Sequence, residues 1–572
     1  MTSDLDDPRN RETLDAPPSS RGPISGPVSS RRPQPSAGFT TRWFGDPAEK
    51  SKRREPWKVL FVVLLLLLLS YAFRIPPLLN ARSTNSDAAV VGLQAMHVLR
   101  GEHSPFLWGS GYQTSADAIV AAGFFKVLGP TPFALMFSAL TLHVIATVLV
   151  FWTLRRRLPT GSSFVLTLPL VFSPSSVHTY ALYPPRQTAL TLALAALWAI
   201  GGAGTPIEEK LSETKRLTWL FVGGALMTLA ISADPYPLLL VPITLLFAFM
   251  VAKSDVSFGD MLKRMMPFVS GALAGLVPFV LLRRSAGATS GPMGLTTNML
   301  GHHFELLVKE CLPWALSYKV YYAKNVMDYA PWQAPLAVET IQIAGALVVL
   351  VVVLYALGAP FLSSLPWPVR RFGLIGGLTY PLAIGAFLVS VMSMDHFSMR
   401  YLAVLTLMLP FAAAPAAAAL GARRVFAVLG LHLIASAIGG WVGYGPFVKG
   451  IVPVRQTPEL ADDYALADLM RSKGLTYAMA DYWASYRLTF LFQEKIIVVP
   501  TNESEDRYAP YRRAFEKVPV YAYVFDPGRS REKLEEIEKE LVTKNASVEK
   551  TKAGGHTVFF VTRGAPPPIG VP

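Results

Sequence analysis

The sequence predicts an α-helical polytopic membrane protein of about eleven transmembrane helices, followed by a small extracytoplasmic α/β domain. Three observations support this fold class. Of the 572 residues, 52% are hydrophobic and only 16% are charged, whereas soluble proteins carry about a quarter charged residues. Apolar stretches of the roughly 20 residues that cross a bilayer recur through most of the chain. After residue 456, short β-like runs alternate with helical ones, as in small α/β domains.

The N-terminal region, 1–55, is rich in Pro, Ser, Gly and Arg and contains no apolar run. This composition predicts a disordered cytoplasmic tail. The transmembrane domain is predicted at 56–445. Its candidate spans are 57–79, 131–154, 161–177, 187–203, 217–233, 236–252, 266–282, 339–358, 373–392, 401–420 and 425–442.

Positive charges orient these spans. Basic clusters precede the first span and recur in alternate loops, at 155–157, 210–216, 253–264, 370–371 and 423–424. Because Lys and Arg are retained on the cytoplasmic side, the N-terminus is predicted to be cytoplasmic, in a plasma (inner) membrane. The other side then receives the loop 80–130, the long loop 283–338 and the C-terminal domain, 446–572. Topology accounts for most of the net charge of +14, so we expect membrane lipids and no nucleic acid as partners.

The C-terminal domain is predicted from a helix at 458–472, four β-like runs and a charged helix at 529–544. Asp462 and Asp463 are interpreted as a cap of the first helix. No glycine-rich loop joins a strand to a helix, so we expect no nucleotide site. The single Cys311 excludes an intramolecular disulfide and a multi-cysteine metal site. The β-like runs are 477–480, 496–499, 518–525 and 556–562.

Two carboxylates stand in the first outer loop. Asp87 and Asp117 each begin an amphipathic segment. Thr84 and Thr114 precede them by three residues, as in a capping box, and a first-turn carboxylate is favoured by the helix dipole. A helix N-terminus also keeps a carboxylate ionised, which a general base requires. A structural and a catalytic interpretation therefore stand side by side for both aspartates.

The order of elements around these aspartates resembles a known family. A first span, the run SDAAVVGLQAMHVLRGEHSPFLWGSGYQTSADAIVAAGFFKVLGP and a second span are similar to the type-C-fold (GT-C) membrane glycosyltransferases. The resemblance is closest to the bacterial branch related to protein mannosyltransferases and to lipopolysaccharide or lipid-A sugar transferases. Near the C-terminal end, Asp481-Tyr482-Trp483 and the segment 486–490 also resemble bacterial members.

The resemblance implies a hexosyl- or pentosyltransferase. Such an enzyme moves a sugar from a polyprenyl-phosphate donor to an extracytoplasmic glycan, lipid or protein, usually with inversion. Asp87 matches the family's catalytic acidic residue and would take the proton from an acceptor hydroxyl as general base. Asp117 matches a second recurring acidic position. Some relatives use a divalent metal and others need none, so no cofactor is assigned, Mg or Mn stays open, and the metal ligands are unknown.

Cations are needed to stabilise the leaving phosphate, and topology does not explain several outer arginines. Arg400 and Tyr401 stand at the entry to a late span, where an Arg-Tyr pair recurs in the family. Arg186 follows a Tyr-Pro-Pro segment, and the pair Arg283 and Arg284 ends a span. We expect these residues to bind the substrate. The alternative is that they anchor span ends at the lipid headgroups.

Aromatic and histidine residues give further candidates. Trp108 and Tyr112 flank glycines between the two aspartates. Their rings could stack on a sugar or sit among headgroups, and the sequence leaves both open. Tyr482 and Trp483 are interpreted either as docking the C-terminal domain onto the membrane or as recognising the acceptor. The adjacent His302 and His303 lack the i, i+4 spacing of a zinc site.

Two other functions compete with glycosyl transfer. A transporter or flippase of lipid-linked sugars would place ionisable residues within its spans, along a pathway, and the predicted spans contain almost none. A non-catalytic envelope-assembly protein on the same fold could lack Asp87. Ionisable residues that cluster on one outer face favour the glycosyltransferase.

Overall fold

The computed structural model describes residues 56–79, 84–174, 182–204, 212–252, 257–286, 294–323, 329–443, 458–545 and 547–563. The tail predicted at 1–55 lies outside these residues. So does the segment 444–457, which precedes the C-terminal domain.

Helices form the membrane part of the chain. In order they are α1 (Pro56–Leu79), α2 (Ser86–Leu99), α3 (Ala116–Leu128), α4 (Pro132–Arg155), α5 (Thr160–Val171), α6 (Gln187–Ala203), α7 (Glu213–Ala233), α8 (Val241–Ala252), α9 (Phe258–Ala286), α10 (Leu300–Leu306), α11 (Leu312–Ala315), α12 (Leu336–Gly358), α13 (Trp367–Val389), α14 (Ala403–Ala412) and α15 (Ala414–Gly443). Each of the eleven predicted spans overlaps one of these helices.

Length and composition divide these helices into two groups. Within the described ranges, seven are long and apolar enough to cross a membrane, namely α1, α4, α7, α9, α12, α13 and α15. Three shorter apolar helices are α5, α6 and the segment Tyr236–Ala252, which contains α8. The protein is therefore a multi-pass membrane protein.

Small residues bring α7 and α9 into contact. A Cβ on Gly224 would lie 2.0 Å from the carbonyl oxygen of Phe268, and one on Gly271 would lie 1.9 Å from that of Phe221. Helix association in lipid depends on such close packing, because apolar surface gains nothing by leaving the hydrocarbon.

A buried arginine closes the C-terminal end of α5. Arg74 of α1, which is fully buried, donates to the carbonyls of Leu170 and Val171 at 2.9 and 3.1 Å. Carbonyls at a helix C-terminus have no partner within the helix, so Arg74 has a structural reason to lie here.

The described residues of the C-terminal domain form a five-stranded mixed sheet and four α-helices. The sheet order is β4-β3-β5-β7-β6; β3 is parallel to β4 and β5, and β7 is antiparallel to β5 and β6. A two-stranded hairpin, β1 (Tyr321–Ala323) and β2 (Tyr329–Pro331), lies in the long loop predicted at 283–338. The other strands are β3 (Tyr477–Ala480), β4 (Ile497–Pro500), β5 (Val520–Phe525), β6 (Ser547–Ala553) and β7 (His556–Thr562). The helices are α16 (Pro458–Ser472), α17 (Tyr482–Leu491), α18 (Ala509–Phe515) and α19 (Leu534–Lys544).

Within the five-stranded sheet, the strand that the sequence did not predict is β6. Its sequence, SVEKTKA, is polar, and it pairs only with β7 at the edge of the sheet. Charged residues protect an edge strand from pairing with other chains, and they also remove the apolar signal by which a strand is recognised.

The predicted helix cap at Asp463 is wrong. Its carboxylate is fully buried and accepts two hydrogen bonds of 2.6 Å from Arg487, which is also fully buried. His556 adds a contact of 3.1 Å. A buried charge is retained only when paired, so Asp463 belongs to the domain core.

The junction between the bundle and the C-terminal domain is formed by α2 and α17. A Cβ on Gly92 would lie 2.7 Å from the ring of Phe490. At the start of α2, the Ser86 hydroxyl donates to the carbonyl of Tyr482. These contacts fix the first turn of α2, which carries Asp87, against the C-terminal domain.

Candidate active site

Asp87 is half-buried in the first turn of α2, and each of its oxygens accepts one tyrosine hydroxyl. Tyr183, which precedes α6, donates to Oδ2 at 3.1 Å. Tyr482, at the start of α17, donates to Oδ1. Burial and the negative charge of Asp87 raise the pKa of both tyrosines well above their usual range. Both hydroxyls therefore stay protonated and point their hydrogens at the carboxylate.

Arg507 extends this cluster from the C-terminal domain. Its Nε donates to the Tyr482 hydroxyl at 3.2 Å and its Nη1 to the Gly109 carbonyl at 3.1 Å. The Tyr486 hydroxyl accepts the Arg507 backbone N–H at 2.5 Å and holds the loop in place. Gly109 has φ +67°, and a Cβ there would lie 2.5 Å from Cδ of Arg507, so this approach requires glycine.

Two more guanidinium groups lie on the Tyr183 side of Asp87. Arg400 and Arg186 lie 5.2 and 5.1 Å from the ring centroid of Tyr401. Arg400 also donates to the Tyr401 hydroxyl at 3.3 Å. Both arginines interact electrostatically with Tyr183. The structure thus brings together four of the predicted site residues, Asp87, Arg186, Arg400 and Tyr401.

The two arginines differ in their charge partners. Arg186 donates through Nε to the buried Asp234 at 3.0 Å, which also accepts a hydrogen bond from Gln113. In the part of the chain that the structure describes, Arg400 has no carboxylate partner, and its buried Nε makes no hydrogen bond. A largely desolvated cation is costly until an anion binds it. Arg400 is therefore the better placed of the two to receive a ligand anion.

The Asp117 carboxylate accepts hydrogen bonds from residues at the start of α6. Its Oδ2 accepts the Arg186 N–H at 2.8 Å, and its Oδ1 accepts the N–H and the hydroxyl of Thr188 at 2.9 and 2.6 Å. Burial raises the pKa of Asp117 to about 6, although the donors from Thr188 and Arg186 act in the opposite direction. Arg186 adopts φ +79°, which non-glycine residues seldom do. Asp117 thus caps α6 and holds Arg186 in this conformation.

The predicted capping pairs are wrong. Asn85, not Thr84, caps α2, because its side chain accepts the Ala88 N–H at 2.9 Å and Thr84 stands one residue too early. Ser115, not Thr114, occupies the N-cap position of α3, but its side chain forms no capping hydrogen bond. Asp117 caps a helix whose donating residues, Arg186 and Thr188, lie 69 and 71 positions further along the chain.

The two predicted aromatic residues lie in different surroundings. Trp108, 8% exposed, stacks on Tyr508 with ring centroids 3.9 Å apart and meets His97 edge-on at 4.8 Å. Its ring packs within the junction with the C-terminal domain. Tyr112 is half-buried and lies within electrostatic reach of Arg507. Tyr112 is therefore close to the cluster on Asp87.

Arg283 and Arg284 lie near the end of α9. Arg283 is exposed beside the apolar side chains of Leu276, Phe279 and Val280. No contact among the described residues joins it to Asp87. The side chain of Arg284 lies outside the described residues.

The groups around the aspartates do not suit a metal ion. Asp87 accepts two hydroxyl donors and Asp117 three N–H or O–H donors. Within the described ranges, no three His, Cys, Asp or Glu side chains are grouped closely enough to hold a metal. His303 lies with Nδ1 2.8 Å from the carbonyl oxygen of Leu388. We therefore assign no step to Mg or Mn.

Sequence reasoning missed three contributors to this site. Tyr183 and Asp234 carried a signal, since both lie in short Pro-containing turns on the predicted outer side. Arg507 carried none, because its contact with Gly109 joins residues 398 positions apart.

Comparison with solved structures confirms the predicted fold. The chain is similar to the crystal structure of ArnT from Cupriavidus metallidurans bound to undecaprenyl phosphate. The TM-score is 0.54 at 12% identity, over 89% of this chain and 98% of that one. At this identity the likeness shows the fold: the type-C (GT-C) fold of membrane glycosyltransferases, with a small C-terminal α/β domain.

Two archaeal structures are less similar. One is the oligosaccharyltransferase AglB from Archaeoglobus fulgidus in complex with an inhibitory peptide and a dolichol-phosphate, with TM-score 0.42 and 11% identity over 90% of this chain and 75% of that one. The other is the Archaeoglobus fulgidus oligosaccharyltransferase in complex with Zn and sulfate, with TM-score 0.43 and 11% identity over 81% and 67%. No family model and no curated protein matches the sequence.

Proposed function

We propose that the protein is an integral-membrane glycosyltransferase that moves a sugar from a polyprenyl-phosphate donor to an acceptor outside the cytoplasm. The observation that carries the proposal is the cluster on Asp87. Two hydroxyls hold this carboxylate, and Tyr183 interacts electrostatically both with it and with Arg400, which has no carboxylate partner among the described residues. The fold supports the same function, because ArnT was crystallised bound to undecaprenyl phosphate.

Asp87 is the general base of this reaction. Each carboxylate oxygen has two lone pairs, so the bonds from Tyr183 and Tyr482 leave room for an acceptor hydroxyl. As the acceptor oxygen forms its bond to C1 of the sugar, the bond from C1 to the phosphate oxygen breaks. The acceptor proton passes to Asp87, and polyprenyl phosphate leaves.

Arg400 binds the phosphate of the donor, and Arg186 assists it. The two guanidinium groups lie on one ring, that of Tyr401. Charge that develops on the leaving phosphate strengthens its interaction with fixed cations. Asp234 neutralises part of the charge of Arg186, and Asp117 sets its backbone. We therefore assign donor binding to Arg400 and Tyr401 and a positioning role to Asp117.

The C-terminal domain completes the site and lies on the extracytoplasmic side. Tyr482 orients Asp87, and Arg507 orients Tyr482. Tyr112 lies at the edge of the same cluster. The domain, 446–572, then lies outside, and the N-terminal tail, 1–55, lies in the cytoplasm. The sugar is a hexose or a pentose, and the acceptor is an envelope glycan, a lipid or a protein.

Transfer can be separated from transport in detergent solution, where no membrane remains to be crossed. The purified full-length protein is incubated with polyprenyl-phosphate-linked sugars and an envelope extract from the host, and the lipids are followed by mass spectrometry. We expect release of free polyprenyl phosphate together with a glycosylated acceptor. A donor that stays intact with active protein would favour a flippase or an assembly protein instead.

A further inference from the structure

The end of the bundle opposite Asp87 carries a second concentration of arginines. α6 begins beside Asp117 and is 17 residues long, and in its second half the Trp198 carbonyl accepts a hydrogen bond of 2.6 Å from Arg156. A helix of this length spans roughly 25 Å. The two groups of arginines therefore belong to different faces of the membrane part.

Three of these arginines surround the C-terminal end of α8; we call Arg157, Arg216 and Arg371 the arginine site. Arg371 donates to the Met250 carbonyl at 3.0 Å and Arg216 to the Val251 carbonyl at 2.9 Å. A Cβ on Gly204 would lie 3.4 Å from Nη2 of Arg157 and 3.2 Å from Cγ2 of Val251. All three guanidinium groups are thus held beside the last turn of one helix.

Carboxylates do not balance this charge among the described residues. Glu213 is the acidic partner, and it is shared: it lies 3.2 Å from Nε of Arg264 and 4.0 Å from Nη1 of Arg216. Arg371 is only 6% exposed, and its Nε has no hydrogen-bond partner in the described ranges. Burial, with the charges of Arg371 and Arg156, lowers the pKa of Arg157 to about 10.

Helix capping and topology explain part of this arrangement. Arg216 and Arg371 lie at the negative C-terminal end of the α8 dipole, which favours positive charge there. Arg156 is engaged by indole rings, with centroid distances of 4.9 Å to Trp198 and 5.6 Å to Trp219. Arg157 is different, because its side chain forms no hydrogen bond or ion pair with the part of the chain that the structure describes. Retention of positive charge in the cytoplasm does not require like charges to converge in a half-buried place.

We propose that the arginine site binds a phosphate-bearing anion, either the headgroup of an anionic lipid or a soluble phosphate. Arg157 supplies free donors and Arg371 a buried charge. Basic pockets between transmembrane helices bind such headgroups, and guanidinium forks match phosphate oxygens. This site is separate from the cluster on Asp87 and does not depend on glycosyl transfer.

The test is native mass spectrometry of the full-length, delipidated protein titrated with phosphatidylglycerol, with phosphatidylcholine as the zwitterionic lipid. Wild type should bind phosphatidylglycerol more tightly than phosphatidylcholine. Arg157→Gln should weaken that binding about fivefold, whereas Arg424→Gln, an equal charge change at an exposed arginine, should not. Arg157 is the residue substituted, because Arg371 also caps α8 and its replacement would change the helix end as well.

Inorganic phosphate distinguishes the two sources. Displacement of the lipid by millimolar phosphate indicates that a soluble phosphate fits the site, and no displacement indicates a headgroup that needs its lipid context. Equal affinity of wild type for the two lipids, or equal affinity of wild type and Arg157→Gln for phosphatidylglycerol, would overturn the proposal.

Discussion

At the scale of single residues, Asp87 is defined by two hydroxyls from distant parts of the chain. Tyr183 and Tyr482 are separated from it by 96 and 395 positions. The position of Asp87 after the first span is visible in the sequence. The hydroxyls that orient it are not, because contacts at such separations leave no local pattern.

Tyr482→Phe should lower the rate of transfer about tenfold or more, because a hydrogen bond to a charged group contributes on the order of 1.5–3 kcal/mol. The fall should appear in kcat, with little change in KM for the donor, since Tyr482 contacts Asp87 and not the phosphate. Tyr521→Phe is the matched control, an identical change in the same domain on a hydroxyl for which the described residues offer no hydrogen bond. Equal kcat in the two variants would contradict a positioning role.

Arg400→Ala should weaken donor binding about tenfold or more, since it removes a charge-assisted contact to phosphate. Arg283→Ala removes the same charge from an exposed residue with apolar neighbours and should have little effect. Binding of a polyprenyl-phosphate analogue to both purified variants, measured by fluorescence polarisation, decides between them. An unchanged affinity in Arg400→Ala would show that the phosphate binds elsewhere.

At the scale of elements, the sequence predicts helices and strands well and their connections poorly. The helix predicted at 458–472 and the strands predicted at 477–480 and 556–562 match α16, β3 and β7 residue for residue, because periodicity is a local property. The predicted helix caps were wrong because the partner of a capping side chain is not a local property of the sequence. Asp117 serves α6, and only the packed structure shows which helix N-terminus a carboxylate will meet.

The contact between α2 and the C-terminal domain should depend on pH through His97. Its ring nitrogens lie 2.6 Å from oxygens of Glu102 and Glu494. Burial lowers the pKa of His97, but the bonds to Glu494 and Glu102 outweigh it and raise the pKa above the ordinary value. The stabilisation is therefore complete below about pH 6.5, the pKa of an unfolded histidine, and is lost as the pH rises through the raised value.

Glu494 sets the acid limit of this contact. Burial raises its pKa, but bonds from His97, Tyr511 and Arg100 lower it to about 2, so its contribution is lost only as the pH falls towards that value. Hydrogen-exchange protection of α17 should therefore fall from about pH 6.5 upward in wild type. It should stay level in His97→Gln and follow wild type in His103→Gln, where an exposed histidine is changed. If protection varied with pH in the same way in wild type and in His97→Gln, His97 would not be the cause of the pH dependence.

At the scale of the whole molecule, composition and hydropathy were sufficient for the class of fold. The similarity to ArnT confirms that class. Composition and hydropathy could not show that the C-terminal domain contacts α2 and contributes Tyr482 and Arg507 to the site. Docking of one domain on another depends on surfaces assembled from separate elements, such as the contact of Phe490 with Gly92.

The orientation of the chain stays a prediction and can be tested with fused reporters. A reporter after residue 572 should read outside, and one inserted at residue 210 should read inside, because basic loops stay in the cytoplasm. Alkaline phosphatase and a fluorescent protein, each placed at both positions, give opposite signals on the two sides. The reverse pattern would move the cluster on Asp87 to the cytoplasm and remove it from an extracytoplasmic acceptor.

In the proposed reaction Asp87 takes the proton from the acceptor, and Asp87→Asn removes this base. Cell-envelope glycans are compared by mass spectrometry in cells that lack the gene and carry either wild type or Asp87→Asn, with the membrane level of each protein matched. The amide keeps the shape of the side chain but cannot act as a base, so transfer should fall by about 10²–10⁴-fold and the glycan should be lost as in cells without the gene. Full glycosylation by Asp87→Asn would contradict the account.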